Sequence, residues 1–293
     1  MHDVIIVGGG PAGLSAALLL GRARRRVLVF DTGKPRNARS LGMHGYLTRD
    51  GILPMHYLDL ARADLEQYGV EFRSEKVVTA KGRDGDFSIY TDGGEPARCR
   101  KILIATGLID RMPLIGGLDD FYGTSVFHCP YCDGWEVREM PVAVIGKRKN
   151  SIALSISLKT WSNDVTLLAN GQLSFRPLEQ ELLESHGVRV NHGKVTRLEG
   201  HDGRLESVIL KDAPPVPCRA LFITFGYDQH SDLARQLGCA FTSKGVARTN
   251  KFQYAGAPGV YVAGDASKDM QMVIVAAAEG ARAAVAINMS LQE

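Results

Sequence analysis

The chain has 293 residues, of which 45% are hydrophobic and 23% charged, and this composition suits a globular protein of two domains. The net charge is only +3 and no basic run carries interleaved aromatic residues, so we expect no nucleic-acid partner. The sequence has no uninterrupted apolar run of roughly 20 residues, and its start, MHDVIIVGGG, lacks signal-peptide features, so we expect a cytoplasmic protein without a membrane segment.

The N-terminal part of the chain predicts a strand, a glycine turn, a helix and a second strand. DVIIV and RVLVFD are typical of buried strands, and GGGPAG followed by SAALLLGRA connects them. In such a βαβ unit Gly8 allows the tight turn, Gly10 lets the backbone approach a pyrophosphate, and Gly13 lets the helix pack on the strand. Asp31 ends the second strand, where a carboxylate can bind ribose hydroxyls. The pattern therefore predicts a dinucleotide site.

Two later strands end in residues of the same kind. KILIATG ends in Thr106 and Gly107. GVYVAGD ends in Gly264 and Asp265 and is followed by a helix of small residues. Next to a helix N-terminus, a glycine and an aspartate can bind further hydroxyls and phosphate of an extended cofactor.

The wide separation of these strand ends predicts one sheet that is assembled from both ends of the chain. We expect an α/β fold of two Rossmann-like domains, the second inserted into the first. Residues 1–112 and 245–293 would form the first domain, and residues 113–244 the inserted one.

The middle of the chain contains a second βαβ pattern whose turn is altered. PVAVIGKRKNSIALSISLKTW is followed by the strand DVTLLAN. Arg148 stands where the second glycine would admit a pyrophosphate, and Ser151 takes the third small position. The next strand ends at Asn170, without the acid that marks an NAD site or arginines for a 2′-phosphate. We expect no nicotinamide nucleotide here; the alternative is that Lys147, Arg148 and Lys149 themselves bind phosphate.

HCPYCDGW, residues 128 to 135, holds a close pair of cysteines, Cys129 and Cys132. Zinc would need four ligands, and the sequence has neither a second CxxC nor an HxxxH motif, so we expect no metal. Two inert thiols in a buried loop are another alternative. A redox pair fits better, because this spacing allows a disulfide and Asp133 can move a proton to or from a leaving thiolate. We expect the isolated cysteines to be small buried apolar residues: Cys99, Cys218 and Cys239.

GGGPAG, ATG, CPYCDG and AGD occur in an order and spacing that resemble the low-molecular-weight thioredoxin reductase family over essentially the whole chain. The resemblance implies a homodimer with FAD on the first domain. It implies that the residues holding FAD are Gly8, Gly10, Pro11, Ala12, Gly13, Asp31, Thr106, Gly107, Gly264 and Asp265, with Gln271 and Met272 at the isoalloxazine. It also implies that Cys132 accepts electrons from the flavin, Cys129 exchanges with the partner disulfide, and Asp133 is the acid–base residue.

The chain also departs from the family. Members that use NADPH carry an intact GxGxxA turn and a basic run after the next strand, and both are missing here. PRN at residues 35–37 and HGYLTRDG at residues 44–51 are similar to a side branch that includes dithiol oxidases. The missing nicotinamide motifs make the chain similar to deeply rooted thioredoxin reductases. His44 is either close to the flavin or a structural histidine.

The first functional hypothesis is an FAD-dependent thiol–disulfide oxidoreductase. Its CPYC disulfide would exchange electrons with the flavin and with a thioredoxin-type protein. Its donor would not be NADPH; ferredoxin and other small electron carriers are candidates. Three alternatives stay open: an O₂-dependent oxidase of a small dithiol, an NADPH-dependent thioredoxin reductase, and an FAD-binding redox sensor without turnover.

Overall fold

The structure, a computed structural model, describes residues 1–171, 174–267 and 270–292. The chain forms two units. Unit 1 consists of Met1–Ala38, Gly45–Ile109 and Tyr227–Glu293. Unit 2 consists of Arg39–His44 and Asp110–Gly226.

The elements follow one another in three stretches of chain. The first stretch contains β1 (His2–Val7), α1 (Pro11–Arg22), β2 (Val27–Phe30), α2 (Pro54–Ala63), a 3₁₀ turn (Glu66–Tyr68), β3 (Glu71–Arg73), β4 (Val77–Arg83), β5 (Asp86–Thr91), β6 (Ala97–Ile104) and β7 (Leu108–Asp110). The second contains α3 (Leu118–Phe121), β8 (Val126–Phe127), α4 (Pro130–Asp133), β9 (Val142–Gly146), α5 (Arg148–Leu158), β10 (Val165–Leu168), α6 (Pro177–Ser185), β11 (Arg189–Asn191), β12 (Val195–His201), β13 (Arg204–Leu210), β14 (Val216–Pro217) and β15 (Ala220–Thr224). The last contains β16 (Tyr227–Gln229), α7 (Leu233–Gln236), β17 (Val260–Val262), a 3₁₀ turn (Gly264–Ala266) and α8 (Val273–Ser290).

Unit 1 is built on a seven-stranded sheet of order β3-β2-β1-β6-β5-β4, with β17 paired to β6. The pairs among β3, β2, β1, β6 and β17 are parallel, whereas β4 and β5 run antiparallel. Val4 and Ile6 of β1 pack in the core on one face of the sheet, and Ile5 and Val7 pack in the core on the other. This double burial is the reason that the first strand is a continuous β-branched run.

Helices α1 and α8 pack against each other in the core on one face of this sheet. A Cβ atom on Gly280 of α8 would lie 1.9 Å from the carbonyl oxygen of Ala12, so the two backbones are in contact. By length and composition α8 could cross a membrane, with a mean hydropathy of 1.3. Its buried alanines, however, belong to the core of unit 1, as in the core helix of a globular unit.

Unit 2 is built on a five-stranded parallel sheet of order β11-β10-β9-β15-β8. Val144 and Phe222 pack in the core on one face, and Ile145 and Leu221 pack in the core on the other. A separate antiparallel sheet, β12-β13-β14, packs its apolar residues into the second of these cores. The fold class is therefore the predicted one: two α/β units, the second inserted into the first.

The boundaries of the units differ from the predicted ones. The sequence assigns residues 113–244 to the inserted domain, whereas unit 2 ends at Gly226. The short helix α7 accounts for the difference, because Leu233 and Ala234 are buried in the core of unit 1. The sequence also assigns residues 39–44 to the first domain, and the structure places them in unit 2.

We predict that Gly280→Ala destabilises unit 1 by about 1–3 kcal/mol, because the new methyl group overlaps the Ala12 backbone. On a helix without this contact, the same change would stabilise by about 1 kcal/mol. Urea unfolding followed by far-UV circular dichroism measures the change. Val285→Ala is the matched control, since Val285 on the same helix is 54% exposed. A Gly280→Ala protein as stable as wild type would contradict the close contact.

Candidate active site

Unit 1 brings four predicted site residues to one edge of its sheet. Gly8 follows β1, Asp31 follows β2, Thr106 lies just beyond β6, and Asp265 lies just beyond β17. These strands are parallel, so their carboxyl ends share one edge. Ligands of doubly wound α/β sheets bind at this edge.

The three glycines of the first turn have distinct surroundings. Gly8 has φ +108°, and a Cβ there would lie 2.3 Å from the carbonyl oxygen of Ala105. A Cβ on Gly13 would lie 1.9 Å from the carbonyl oxygen of Gly8, which fixes the start of the helix against the turn. A Cβ on Gly10 would meet no described atom within 4 Å, so the space in front of this residue is open.

The start of α1 fits a phosphate group. Gly10 is the N-cap, Pro11 is the first helical residue, and no side chain of the described residues caps this end. Free N–H groups at a helix N-terminus favour an anion. Beside it, the Thr106 hydroxyl is buried without a hydrogen-bond partner in the described part of the chain. The open space at Gly10, the uncapped helix and the unpaired hydroxyl together fit a dinucleotide cofactor.

Arg36 connects two of the predicted residues and was not itself predicted. Its Nη1 donates to Oδ2 of Asp265 at 3.0 Å and to Oε1 of Gln271 at 2.6 Å. The guanidinium therefore ties the 3₁₀ turn after β17 to the residues before α8. The PRN sequence contains Arg36, but nothing local indicates a pairing more than two hundred positions away.

The turn after β17 is held from within the core. Glu279 of α8 is 4% exposed, and its Oε2 accepts a hydrogen bond from the Gly264 N–H at 2.8 Å. Gly264 has φ +74°, and a Cβ there would lie 3.0 Å from that of Ala12. Met272 is the N-cap of α8, and its Cε lies 3.5 Å from the Cβ position at Gly45. Glu279 was not predicted, since the sequence shows only an acid inside an alanine-rich helix.

Asp31 also has a partner that the sequence does not predict. Nη2 of Arg62, on α2, donates to its Oδ2 at 2.6 Å. The carboxylate also lies over the glycine turn, because a Cβ on Gly9 would be 2.7 Å from the Asp31 Cγ. The carboxylate expected to bind ribose hydroxyls is therefore oriented by a cation as well.

In unit 2, Cys129 and Cys132 form a disulfide with their Cα atoms 5.3 Å apart. Cys129 is the N-cap of the short helix α4, and Pro130 is its first residue. The backbone N–H groups of Cys132 and Asp133 both donate to the Cys129 carbonyl at 3.2 Å. Both cysteines are partly exposed, so the pair can be reached from solvent.

Asp133 lies on the same helix and has an unusual pKa. Burial, and then the negative charge of Glu136, raise the pKa of Asp133 to about 7, while the charge of His44 acts in the opposite direction. Nε2 of His44 lies 3.5 Å from Oε1 of Glu136. A carboxyl group with a pKa near neutrality can both donate and accept a proton.

His128, directly before the pair, is held by two neighbours. The Tyr122 hydroxyl lies 3.1 Å from the His128 Nε2 and donates to Oδ2 of Asp110 at 3.1 Å. That same Asp110 oxygen is 3.6 Å from the His128 Nε2. This network anchors the chain on the N-terminal side of the disulfide.

The isolated cysteines are reduced and buried. Burial raises the pKa of the Cys99 and Cys218 thiols to about 12 and that of Cys239 to about 11. They remain protonated at neutral pH, which makes them poor nucleophiles.

The altered turn of unit 2 keeps its fold and changes its chemistry. Gly146 still lies close to the neighbouring strand β15, since a Cβ there would lie 2.5 Å from the Thr224 carbonyl oxygen. Arg148 stands in place of the second glycine and forms an ion pair with Glu179 of α6. Its Nε, at 2.9 Å, and its Nη2 both donate to Oε2 of Glu179. The side chain and backbone N–H of Arg176 also donate to Glu179. The charge of Arg148 is thus neutralised within unit 2.

The end of the next strand is also occupied by a structural contact. Asn170 has φ +54°, and its Oδ1 accepts a hydrogen bond from the Val195 N–H at 2.8 Å. The position at which an NAD site has its acid therefore holds an amide that fixes the start of β12. Arg148 is paired with Glu179, so only Lys147 and Lys149 of the three cations remain for the alternative of phosphate binding.

The sequence profile of the pyridine nucleotide-disulphide oxidoreductase family matches residues 2–280. A "Probable thioredoxin reductase" of Arthroderma benhamiae is 33% identical over 100% of the chain and 81% of that protein. Thioredoxin reductase sirT of Leptosphaeria maculans is 31% identical over 98% of the chain and 94% of its own length. The crystal structure of an oxidoreductase from Agrobacterium tumefaciens superposes with a TM-score of 0.93 at 33% identity, covering 99% of the chain and 98% of that structure.

We predict that Glu179→Gln lowers stability at neutral pH and that the difference from wild type disappears in acid. Hydrogen bonds from Arg148 and Arg176 lower the pKa of Glu179 from 4.5 to about 2. The carboxylate therefore stabilises the folded state fully above pH 4.5, and this contribution is lost as the pH falls towards 2. Urea unfolding at several pH values measures it, and the fluorescence of Trp135 and Trp161 reports on unit 2.

Glu181→Gln is the matched control for this change, because Glu181 is exposed on the same helix. If the free energy of unfolding depends on pH in the same way in Glu179→Gln and Glu181→Gln, Glu179 does not anchor the turn.

Proposed function

The chain belongs to the pyridine nucleotide-disulphide oxidoreductase family, and from this membership we propose that it is an FAD-dependent oxidoreductase whose Cys129–Cys132 disulfide exchanges electrons with a thioredoxin-type protein. Its relatives are thioredoxin reductases, and the chain is an enzyme of this flavoprotein type. The observation that carries the proposal is the disulfide beside a carboxyl group whose pKa is about 7.

Unit 1 supports FAD as the cofactor. Gly8, Gly10 and Gly13 supply the cradle, and Pro11 and Ala12 begin the helix that faces the pyrophosphate. We propose that the remaining candidates hold the same cofactor: Asp31, Thr106, Gly107, Gly264, Asp265, Gln271 and Met272. When bound, FAD supplies or takes up the two electrons that interconvert a disulfide and a dithiol.

The cysteine chemistry balances in electrons and protons. Reduction of the disulfide takes two electrons and two protons and gives two thiols. The Cys129 thiol then gives up its proton, and its thiolate attacks the partner's disulfide; a mixed disulfide forms, and one partner sulfur leaves as a thiolate that takes a proton from Asp133. The Cys132 thiol gives up its proton to the Asp133 carboxylate and attacks Cys129, which restores the internal disulfide and releases the second partner sulfur, and Asp133 returns the proton to it. The assignment of roles to the two cysteines follows the resemblance.

The turn of unit 2 supports a donor other than NADPH. Close approach of a pyrophosphate needs a residue without a side chain at position 148, and Arg148 is bound there to Glu179. A ferredoxin-like carrier delivers electrons without such a turn, so we propose a carrier of this class as the donor.

The surface beside the disulfide supports a protein partner rather than a small dithiol. Tyr131 is 70% exposed and Trp135 is 64% exposed. Exposed aromatic residues of this kind are enriched at protein interfaces. The Arg138 guanidinium lies 4.1 Å from the Trp135 ring centroid and adds a cation to this surface. We further propose a cytoplasmic homodimer, as the family resemblance implies.

Anaerobic titration of the flavin with NADPH, NADH and reduced ferredoxin in parallel tests the donor. We predict that ferredoxin bleaches the flavin and that neither nicotinamide nucleotide does so at the rate of turnover. A thioredoxin-type protein added afterwards should become reduced, and Cys132→Ser should abolish this transfer. Rapid, complete bleaching by NADPH would refute the donor assignment.

The same protein in air distinguishes the other functions. Hydrogen peroxide released upon addition of dithiothreitol would identify a dithiol oxidase, in which the dithiol is oxidised and O₂ is reduced. If Cys132→Ser leaves signalling by the protein in cells unchanged, the protein is a sensor that acts through the flavin alone.

We predict that the rate of thiol–disulfide exchange falls as the pH rises through about 7, because Asp133 must be protonated to donate. Asp133→Asn should lower the rate at neutral pH by about 100-fold and remove this pH dependence. Stopped-flow exchange with a thioredoxin-type protein at several pH values measures both. Asp120→Asn is the control, since Asp120 is an exposed aspartate of the same unit. An unchanged profile in Asp133→Asn would remove this residue from the chemistry.

A further inference from the structure

Residues 39–44 form a short segment that is fixed to unit 2 near its start. A Cβ on Gly123 would lie 2.7 Å from the Arg39 carbonyl oxygen, so the two backbones are in contact. The Arg39 guanidinium donates to the Asp119 carbonyl at 3.2 Å. Met43 is 4% exposed. These contacts fix the direction of the segment, and His44 is its last residue.

His44 is thereby brought to the turn that follows the helix carrying Cys132 and Asp133. Its Nε2 lies 3.5 Å from Oε1 of Glu136, which follows Asp133 by three positions. The two groups act on Asp133 in opposite directions: Glu136 raises the pKa of that carboxyl, and His44 lowers it. Asp133, Glu136 and His44 thus interact with one another as one cluster beside the disulfide.

We propose that His44 and Glu136 are positioning residues that control when Asp133 holds its proton. Glu136 favours the protonated carboxyl before donation. After Asp133 has given its proton to a leaving thiolate, His44 beside Glu136 offsets the charge of the new carboxylate. The proposal rests on the proposed role of Asp133, and it adds two groups that act through this residue.

The test is the titration of the Asp133 carboxyl in the oxidised holoprotein, followed by infrared difference spectroscopy against the corresponding Asp133→Asn protein. This readout needs no turnover. We expect Glu136→Gln to lower the midpoint and His44→Gln to raise it, each by about 0.5 pH unit. His44→Lys keeps a positive charge and should hold the midpoint at or below that of wild type.

A second histidine–glutamate pair in unit 2 gives matched controls. Nδ1 of His201 lies 3.2 Å from Oε1 of Glu206 on the β12–β13 hairpin. His201→Gln and Glu206→Gln should leave the midpoint unchanged. The proposal is overturned if His44→Gln and Glu136→Gln shift the midpoint in the same direction, or by no more than the controls. His44→Lys decides the matter if His44→Gln does not fold.

The titration of Asp133 and the reaction with a thioredoxin-type partner can fail independently of each other. Opposite shifts in a protein that reacts with no thioredoxin-type partner would uphold the cluster and refute the partner. Active exchange with a midpoint that no variant moves would uphold the function and refute the cluster.

Discussion

Close backbone contact at the carboxyl edge of the first sheet is the constraint on which the site of unit 1 depends. Gly8 against Ala105, Gly13 against Gly8 and Gly280 against Ala12 each leave no room for a Cβ atom. Small residues let α1 and α8, and the ends of β1 and β6, pack closely against one another. This packing fixes the position of the N-terminus of α1, where the space in front of Gly10 is open. A dense interior transmits small shifts, so any added methyl group here would move the candidate cofactor residues together.

Unit 2 keeps the same architecture and uses it for another purpose. Its parallel sheet and its close approach at Gly146 resemble those of unit 1. The guanidinium of Arg148, however, is bound to a carboxylate of its own unit instead of being left for a phosphate. The same backbone arrangement therefore supports an open turn in unit 1 and a structural ion pair in unit 2, so the fold alone does not determine what the turn binds.

The sequence predicts the parts of the site that depend on local backbone geometry. Gly8, Asp31, Thr106 and Asp265 follow strands that could be recognised by their apolar runs, and parallel pairing then brings them to one edge. The sequence does not predict the partners of these residues, because Arg36 and Arg62 reach them across long stretches of chain.

Dependence on distant contacts also explains the two differences in domain boundaries. The sequence predicts residues 39–44 in the first domain and α7 in the inserted one, whereas the structure has them in unit 2 and unit 1. The assignment of a segment to a core depends on tertiary contacts of a few side chains, such as Leu233 and Ala234. No repeating pattern in the sequence reports such contacts.

The insertion of unit 2 also orders events during synthesis on the ribosome. β17 and α8 are synthesised after the whole of unit 2, yet β17 pairs with β6, and α8 packs on α1. The long stretch from Asp110 to Gly226 is complete well before them. The nascent chain must therefore carry an unfinished sheet, with β6 still lacking a neighbour, while the inserted unit already has its full sequence. An unpaired strand edge can pair with other chains, so the interval between the synthesis of β6 and that of β17 is the period in which unit 1 is open to aggregation.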